Sequence, residues 1–306
     1  MNYFYVTVMN VFAVLGTLAN MIVIVSLLLL PELHKIEYAF VGNLAAADML
    51  VTGVVIPVNI LATLRGPTMF RDHPWFCELG GTICASSCAG SIWCIMAISV
   101  ERYICICHYA VYRNMFTPPR VALMIICLWI IAHSIHLPNV LGWGHTSYSG
   151  DLYLCTAELG LWSYSVFYGM SAILVPIGIS FYAYLKIYLR VRRSRAGRRH
   201  LTGNKNQMPT SAAIGADSDP VSYNPKAQVI HPKTRVSGVQ GEMKLLQALF
   251  KMFTIFLASW LLIAHGSSAT NSVVYFWMTD LMRTTKNGYI RLWSRFRRTR
   301  IQSQPF

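Results

Sequence analysis

Apolar residues fill six long stretches of the chain, and shorter polar segments rich in lysine and arginine separate them. A helix needs roughly 20 mostly apolar residues to cross the hydrocarbon core of a bilayer. These stretches are too long for barrel strands and do not alternate, so each predicts a spanning helix and the fold class is all-α. The predicted spans cover residues 4–30, 38–64, 77–105, 121–141 and 161–188, and a sixth runs from about 245 past Trp260.

The composition supports a membrane protein. Of the 306 residues, 55% are apolar and only 12% are charged, whereas soluble domains carry about 25% charged residues. The mean hydropathy of +0.45 points the same way. These values exclude a disordered chain and argue against a soluble enzyme. The sequence contains no catalytic constellation and no cysteine spacing typical of zinc sites, so we expect no enzyme activity.

The positive charges lie on alternate loops. The net charge is +14, yet only Arg65 and Arg71 fall in the loops opposite to the basic ones. The other basic residues lie in segments 31–37, 102–120, 186–251 and 283–300. Cytoplasmic loops carry the excess of Lys and Arg, so we expect an extracellular N-terminus and a cytosolic C-terminus. A nucleic-acid-binding domain would not confine its charges in this way, so no nucleic-acid partner is expected.

A cytosolic tail combined with an extracellular N-terminus requires an odd number of spans, and hence seven. The chain is short for seven spans. Residues 250–282 make only 33 positions, and two spans need about 40 before any loop is added. A polar break at 265–268 divides them. Two explanations stay open: two short helices form a tight hairpin, or a segment is missing near residues 261–263. We favour the missing segment.

Two cytosolic regions differ from the predicted bundle of residues 1–282. Residues 194–241 are rich in Ser, Gly, Pro, Asn and Arg without apolar periodicity, which predicts a disordered loop. In the tail, 283–306, apolar residues recur at helical spacing from Tyr289 to Phe296, with arginines on the other faces. This pattern predicts an amphipathic helix that lies on the inner leaflet.

Two of the eight cysteines are candidates for a disulfide. Cys77 begins the third predicted span on the outer side, and Cys155 lies in the outer loop before the fifth. Both face the oxidising compartment, which favours a Cys77–Cys155 bridge over two unpaired thiols. Cysteines inside the spans are expected to be packing residues.

Asp48 lies in the middle of the second predicted span. A charged residue at the bilayer centre costs at least ~2.5–3.5 kcal/mol, faces the bundle interior and commonly marks an ion or switch site. Asn20 and Asn271 are polar at similar depth, and a buried network would satisfy all three side chains. The alternative is a neutral Asp48 with a purely structural hydrogen bond.

Glu101, Arg102 and Tyr103 end the third predicted span on its cytosolic side. A carboxylate beside an arginine at the membrane boundary can hold a local ion pair. Breaking that pair frees the arginine, which allows a two-state switch.

Together these residues resemble the rhodopsin-like (class A) G-protein-coupled receptors over about residues 4–300. The resemblance is carried by Asn20, residues 44–48, Cys77 with Cys155, Glu101 to Tyr103, Trp129, Pro176, Tyr184, Phe256 with Trp260, and residues 271–275. Within that family the chain is most similar to melatonin receptors. Segments 102–108, 137–139, 153–156 and 174–176 carry this closer resemblance.

The resemblance implies a switch and an ion site. Asp48, Ser91 and Asn271 would form a pocket for an allosteric sodium ion that stabilises the inactive state. Arg102 would contact the G protein on activation. Two tyrosines would swing toward this arginine: Tyr184 and Tyr275.

The implied ligand pocket departs from the melatonin-receptor pattern. Trp260 would be the toggle beneath the ligand, and Asn139 matches a melatonin-contacting asparagine. The fifth-span histidine of those receptors is Ala172 here, and their glutamine after the loop cysteine is Leu159. Cys84 stands where amine receptors carry an aspartate, so a buried ammonium would lack its partner charge. We therefore expect a small neutral or amphipathic ligand.

Two functions follow. The first is a plasma-membrane receptor that activates heterotrimeric G proteins, with arrestin, receptor kinases and membrane lipid as further partners. The second is a truncated, non-signalling isoform or an incomplete gene model of such a receptor. The second explanation arises because, compared with the family's pattern, the chain lacks the rest of the sixth span, the third outer loop and the early seventh span around residues 261–270.

Overall fold

The computed structural model describes residues 3–65, 70, 72–149, 154–157, 162–205 and 281–302. This part of the chain is almost entirely helical. In chain order the helices are α1 (Tyr3–Leu29), α2 (Ile36–Leu50, continued through Val51–Val55 and Ile56–Arg65), α3 (Pro74–Cys107), α4 (Tyr109–Met115), α5 (Pro118–Pro138, continued through Asn139–Trp143), α6 (Trp162–Tyr168, continued through Gly169–Leu174 and Val175–Lys205) and α7 (Leu281–Gln302).

Five helices within the described residues are long and apolar enough to cross a membrane. They cover Val6–Leu29, Ile36–Arg65, Pro74–Cys107, Pro118–Trp143 and Trp162–Arg193. These bounds confirm the first five spans predicted from hydropathy. The predicted sixth and seventh spans lie outside the described residues.

Helix α3 is the central element of the described bundle. It packs against α2, α5 and α6, while α1 packs against α2. Buried aliphatic side chains fill the space between these helices, among them Leu44, Ile95, Ile98, Leu128 and Ile187. Large apolar side chains also cover the outer surfaces of the helices. Exposure of this kind is stable where lipid tails replace water around the bundle.

Two spanning helices contain a short π-helical segment, with a wider turn than an α-helix, just before a proline. The wider turns are Val51–Val55 in α2 and Gly169–Leu174 in α6, and they precede Pro57 and Pro176. Proline has no N–H, and its ring clashes with the carbonyl four residues earlier, so the regular hydrogen-bond ladder cannot pass through it. A wider turn relieves the clash and lets each helix continue.

The N-terminal end of α3 is covered by a two-stranded antiparallel hairpin. Strand β1 (Thr146–Ser149) pairs with β2 (Leu154–Ala157). The Cys77–Cys155 disulfide joins β2 to the first turn of α3, with 5.4 Å between the two Cα atoms. The predicted bridge is therefore confirmed. The close approach also depends on Gly81, where a Cβ atom would lie 2.5 Å from the side chain of Thr146.

The C-terminal end of α6 differs from the prediction. A disordered loop was expected from residue 194, but α6 continues to Lys205. The segment contains several arginines, an alanine and a leucine, all of which favour helix. Elongating an existing helix avoids the cost of nucleation, so twelve residues of the expected loop extend α6 instead. The rest of that loop, up to residue 241, lies outside the described residues.

Replacing Cys77 with serine should destabilise the purified protein. The bridge spans a sequence separation of 78 residues, and a cross-link over a loop of this length stabilises by up to ~4–5 kcal/mol in the chain-entropy model. A lower melting temperature in detergent is expected, measured by thiol-reactive fluorescence. Cys127→Ser is the matched control, because Cys127 is an unbridged, exposed cysteine in α5. Equal melting temperatures for the two variants would contradict a stabilising role for the bridge.

Candidate functional site

An ion-paired cluster closes the C-terminal end of α3. The Nε atom of Arg102 lies 2.8 Å from Oε2 of Glu101, and its Nη2 lies 2.8 Å from Oε2 of Glu37 in the first turn of α2. The Arg102 and Glu101 side chains are 7% and 1% exposed, and that of Glu37 is 28% exposed. The ion pair suggested by the Glu101-Arg102-Tyr103 motif is present. Glu37 was not predicted as part of this site, although a carboxylate next to Lys35 at the start of a spanning helix could have indicated it.

Helix α4 adds a hydroxyl to this cluster. Burial is the main cause that raises the pKa of Tyr112 above its ordinary value. The neighbouring Glu101 carboxylate, which accepts a hydrogen bond from the Tyr112 hydroxyl, raises this pKa further. The proton therefore stays on the phenol, and Tyr112 remains a hydrogen-bond donor to Glu101. The cluster thus ties α2, α3 and α4 together at one end of the bundle.

Tyr184, one of the two predicted switch tyrosines, lies near this cluster, and so does Tyr103 of the α3 motif. The Tyr184 hydroxyl on α6 hydrogen-bonds the Ser99 hydroxyl at 2.7 Å, one turn of α3 before Arg102. The Tyr103 hydroxyl lies 3.1 Å from Nε2 of His108. Tyr184 is therefore held against α3 at the depth of the switch. Tyr275 lies outside the described residues.

Asp48 is fully buried between α2 and α3. The Ser91 hydroxyl donates to Oδ1 of Asp48 at 2.7 Å. Asn20 is also fully buried, and its amide donates to the Gly16 carbonyl in α1. A carboxylate and a hydroxyl are oxygen ligands of the kind that small hard cations prefer. The structure therefore brings together Asp48 and Ser91, and Asn271 lies outside the described residues.

A second polar network crosses the middle of the bundle. The Trp129 indole N–H donates to Oδ1 of Asn43 at 2.8 Å, and the Asn43 amide donates to Sγ of Cys94 at 3.4 Å. Sγ of Cys94 in turn donates to the Phe40 carbonyl at 3.0 Å. Cys94 was expected to be a packing residue, but it also bridges α2 and α3. The Trp129 indole and the Asn43 amide both lie inside predicted spans, where each needs a hydrogen-bond partner. This requirement could have indicated the network from the sequence.

The predicted pocket residues Cys84 and Ala172 belong to different packing clusters. Cys84 packs with apolar residues of α1 and α2, whereas Ala172 on α6 is fully buried against Ala89 and Ala132. Asn139 is buried at the outer end of α5, where its Oδ1 accepts the Thr146 hydroxyl at 2.8 Å. Trp260 lies outside the described residues.

Aromatic side chains of α6 line the space beneath the hairpin. The Tyr164 hydroxyl lies 3.1 Å from Nδ1 of the buried His136, and the Tyr168 hydroxyl donates to the Ala85 carbonyl at 2.8 Å. Trp143 packs against Phe167 with ring centroids 5.2 Å apart. Nothing in the sequence pointed to the pairing between His136 and Tyr164.

Helix α7 docks on the turn between α1 and α2. Arg291 pairs with Glu32 at 2.8 Å, and the hydroxyls of Tyr289 and Ser26 lie 3.4 Å apart. At Gly288 a Cβ atom would come within 2.8 Å of two Leu30 methyl groups, so glycine permits the close approach. The exposed apolar residues of α7 are Tyr289, Ile290, Leu292 and Trp293.

The described helices define a multi-pass membrane protein with charged and polar side chains buried along its central helix. The sequence model for the 7 transmembrane receptor (rhodopsin family) matches residues 19–285. The chain therefore belongs to the rhodopsin family of seven-transmembrane receptors.

Individual relatives are distant. The G-protein coupled receptor moody of Drosophila melanogaster is 28% identical over 229 residues, which cover 73% of this chain and 33% of that receptor. The alpha-1A adrenergic receptor of Oryzias latipes is 27% identical over 192 residues, 62% of this chain and 40% of the relative. The chain thus spans about a third to two fifths of the length of these curated relatives.

The crystal structure of squid rhodopsin superimposes on this fold with a TM-score of 0.70. The match covers 90% of this chain and 81% of rhodopsin at 18% identity. The likeness shows a common fold.

Proposed function

We propose that this chain is a receptor that transmits the binding of an extracellular small molecule to a heterotrimeric G protein. The observation that carries the proposal is the caged Arg102 at the cytosolic end of α3, held by Glu101 and Glu37. A guanidinium bound by carboxylates is unavailable to a partner until those ion pairs open. The same helix is cross-linked at its outer end by the Cys77–Cys155 bridge. One rigid element would thus connect the ligand side with the switch.

The charge pattern supports an orientation for this receptor. The N-terminus would be extracellular and the C-terminus cytosolic in the plasma membrane, because the basic segments then face the cytosol. In this orientation Arg102 lies on the side where a G protein, arrestin or a receptor kinase could reach it. The apolar face of α7, with Trp293 and Ile290 exposed, would rest on lipid of the inner leaflet.

The ligand side favours a neutral or amphipathic molecule. Tyr164, Tyr168 and Trp143 supply aromatic surface there. Although one relative is an adrenergic receptor by name, Cys84 provides no carboxylate for an amine. Asn139, Cys84 and Ala172, with Trp260 from the sixth span, would line the pocket. A melatonin-like branch remains part of the proposal through Asn139, but Ala172 offers no polar contact.

A nucleotide-exchange assay tests the proposed activity. Membranes that contain the chain should load a labelled, non-hydrolysable GTP analogue onto at least one member of a panel of heterotrimeric G proteins. Arg102→Gln should lower this loading about tenfold or more, because a charge-assisted contact to the partner is worth ~1.5–3 kcal/mol. Lys35→Gln is the control, since Lys35 is an exposed cytosolic cation outside the cluster.

The opposite outcome supports the other function. Absence of loading above mock membranes, with the chain retained inside the cell, would favour the truncated, non-signalling isoform or incomplete gene model. Equal loading by the wild type and Arg102→Gln would contradict the role assigned to Arg102.

We further propose that Asp48 and Ser91, with Asn271, hold an allosteric sodium ion. Their support is the burial of the Asp48 carboxylate and its 2.7 Å contact with Ser91. A bound ion would satisfy the charge of this buried carboxylate and favour the inactive state.

Sodium should stabilise the purified receptor through Asp48. Replacing choline chloride with sodium chloride at equal ionic strength should raise the melting temperature of the wild type by about 2–4 °C. Asp48→Asn should abolish this rise, because it removes the anionic ligand. Ser180→Ala should keep it, because the Ser180 hydroxyl donates to the Pro176 carbonyl of its own helix. The same rise in all three proteins would contradict the sodium site.

A further inference from the structure

Glu37 contacts the switch arginine from a different helix. It occupies the first turn of α2, and its carboxylate crosses to α3, where Oε2 lies 2.8 Å from Nη2 of Arg102. The motif at the end of α3 does not include this residue. The contact joins positions separated by 65 residues in the sequence.

The two carboxylates use different parts of the guanidinium group. Glu101 approaches Nε, while Glu37 binds Nη2. A guanidinium carries five N–H donors in a fixed fork, so one carboxylate does not displace the other. Glu37 therefore adds a second restraint on Arg102, in a direction that points toward α2 instead of along α3.

The position of Glu37 is fixed by packing around it. Phe40 and Val41 on the next turn of α2 are buried in the core, and the Phe40 carbonyl accepts Sγ of Cys94 on α3 at 3.0 Å. These contacts set the separation of α2 and α3 near their cytosolic ends. A glutamate in the first turn of a helix is also favoured by the helix dipole. The backbone position of Glu37 is thus already fixed by packing when its carboxylate pairs with Arg102.

The two restraints differ in their access to solvent. The Glu101 side chain is 1% exposed, whereas that of Glu37 is 28% exposed. Water can solvate the Glu37 carboxylate once it leaves Arg102, so this ion pair opens at lower cost than the buried one. The Glu37 pair is therefore the part of the cluster that can open while Glu101 still holds the arginine.

We propose that Glu37 is a positioning residue that holds Arg102 toward α2 and thereby limits activation of the G protein in the absence of ligand. The inference rests on the proposed signalling function. Release of Arg102 from Glu37 precedes its release from Glu101, so the receptor has a graded restraint at the cytosolic end of α3. Removing Glu37 shifts the population toward the released state without removing the arginine that meets the partner.

The test measures ligand-free nucleotide exchange, normalised to the amount of receptor in the membrane. Glu37→Gln should raise basal loading about two- to fivefold, the range expected for loss of a partly exposed ion pair. Glu37→Asp retains the charge and should return loading toward the wild-type level. Glu101→Gln is the positive control. Glu32→Gln is the matched negative control, because Glu32 pairs with Arg291 on the same side of the membrane and does not touch Arg102.

Introducing the same substitution into the Arg102→Gln receptor distinguishes a positioning role of Glu37 from a general destabilisation of the helix bundle. In Arg102→Gln receptors, Glu37→Gln should cause no increase, since the residue acts only through the arginine. An equal increase in that background would overturn this inference while leaving the proposed function intact. The same holds if Glu37→Gln shows the wild-type level of basal loading while Glu101→Gln shows a higher level. Failure of the wild type and Glu101→Gln to load any G protein would overturn the proposed function, and this inference with it. If Glu37→Gln does not reach the membrane, Glu37→Met is compared in the same way.

Discussion

Charged side chains inside a bundle of apolar helices need partners, and this requirement determines what surrounds α3. At the bilayer depth of Asp48, Ser91 on α3 supplies a hydrogen bond to the carboxylate. At the C-terminal end of α3, Arg102 is neutralised by Glu101 and Glu37. An isolated charge at either place would destabilise the bundle by several kcal/mol. The helices that carry the partners are therefore held against α3 by electrostatics as well as by packing.

The two ends of α3 are restrained in different ways. The N-terminal end is covalently joined to the hairpin by Cys77 and Cys155, while the C-terminal end is held by ion pairs and hydrogen bonds that can exchange partners. Between them, the network from Trp129 through Asn43 to Cys94 fixes α2 and α5 on α3. A permanent restraint at one end and a reversible one at the other suit a helix that relays ligand binding to a switch. The fold alone would not assign such a role.

Much of the fold could be predicted because bilayer-spanning helices have a simple hydropathy signal. The five spans are long apolar runs, the Glu101–Arg102 pair joins sequence neighbours, and the disulfide joins two cysteines that the span count places on the same side of the membrane; the structure contains all of them. The other contacts between distant positions carried no such signal. Glu37 reaches Arg102 only because α2 and α3 run side by side. The extension of α6 to Lys205 was missed because polar composition was taken as disorder, although arginine-rich segments also favour helix.

The most direct test of the account is the side of the membrane on which the chain ends, because the proposed Arg102 switch can serve a G protein only from the cytosol. An epitope tag after Phe306 would be stained in intact and permeabilised cells, with an N-terminal tag on the same chain as the reference. The account predicts that intact cells stain for the N-terminal tag alone and that the C-terminal tag stains only after permeabilisation. Staining of the C-terminal tag on intact cells would contradict it.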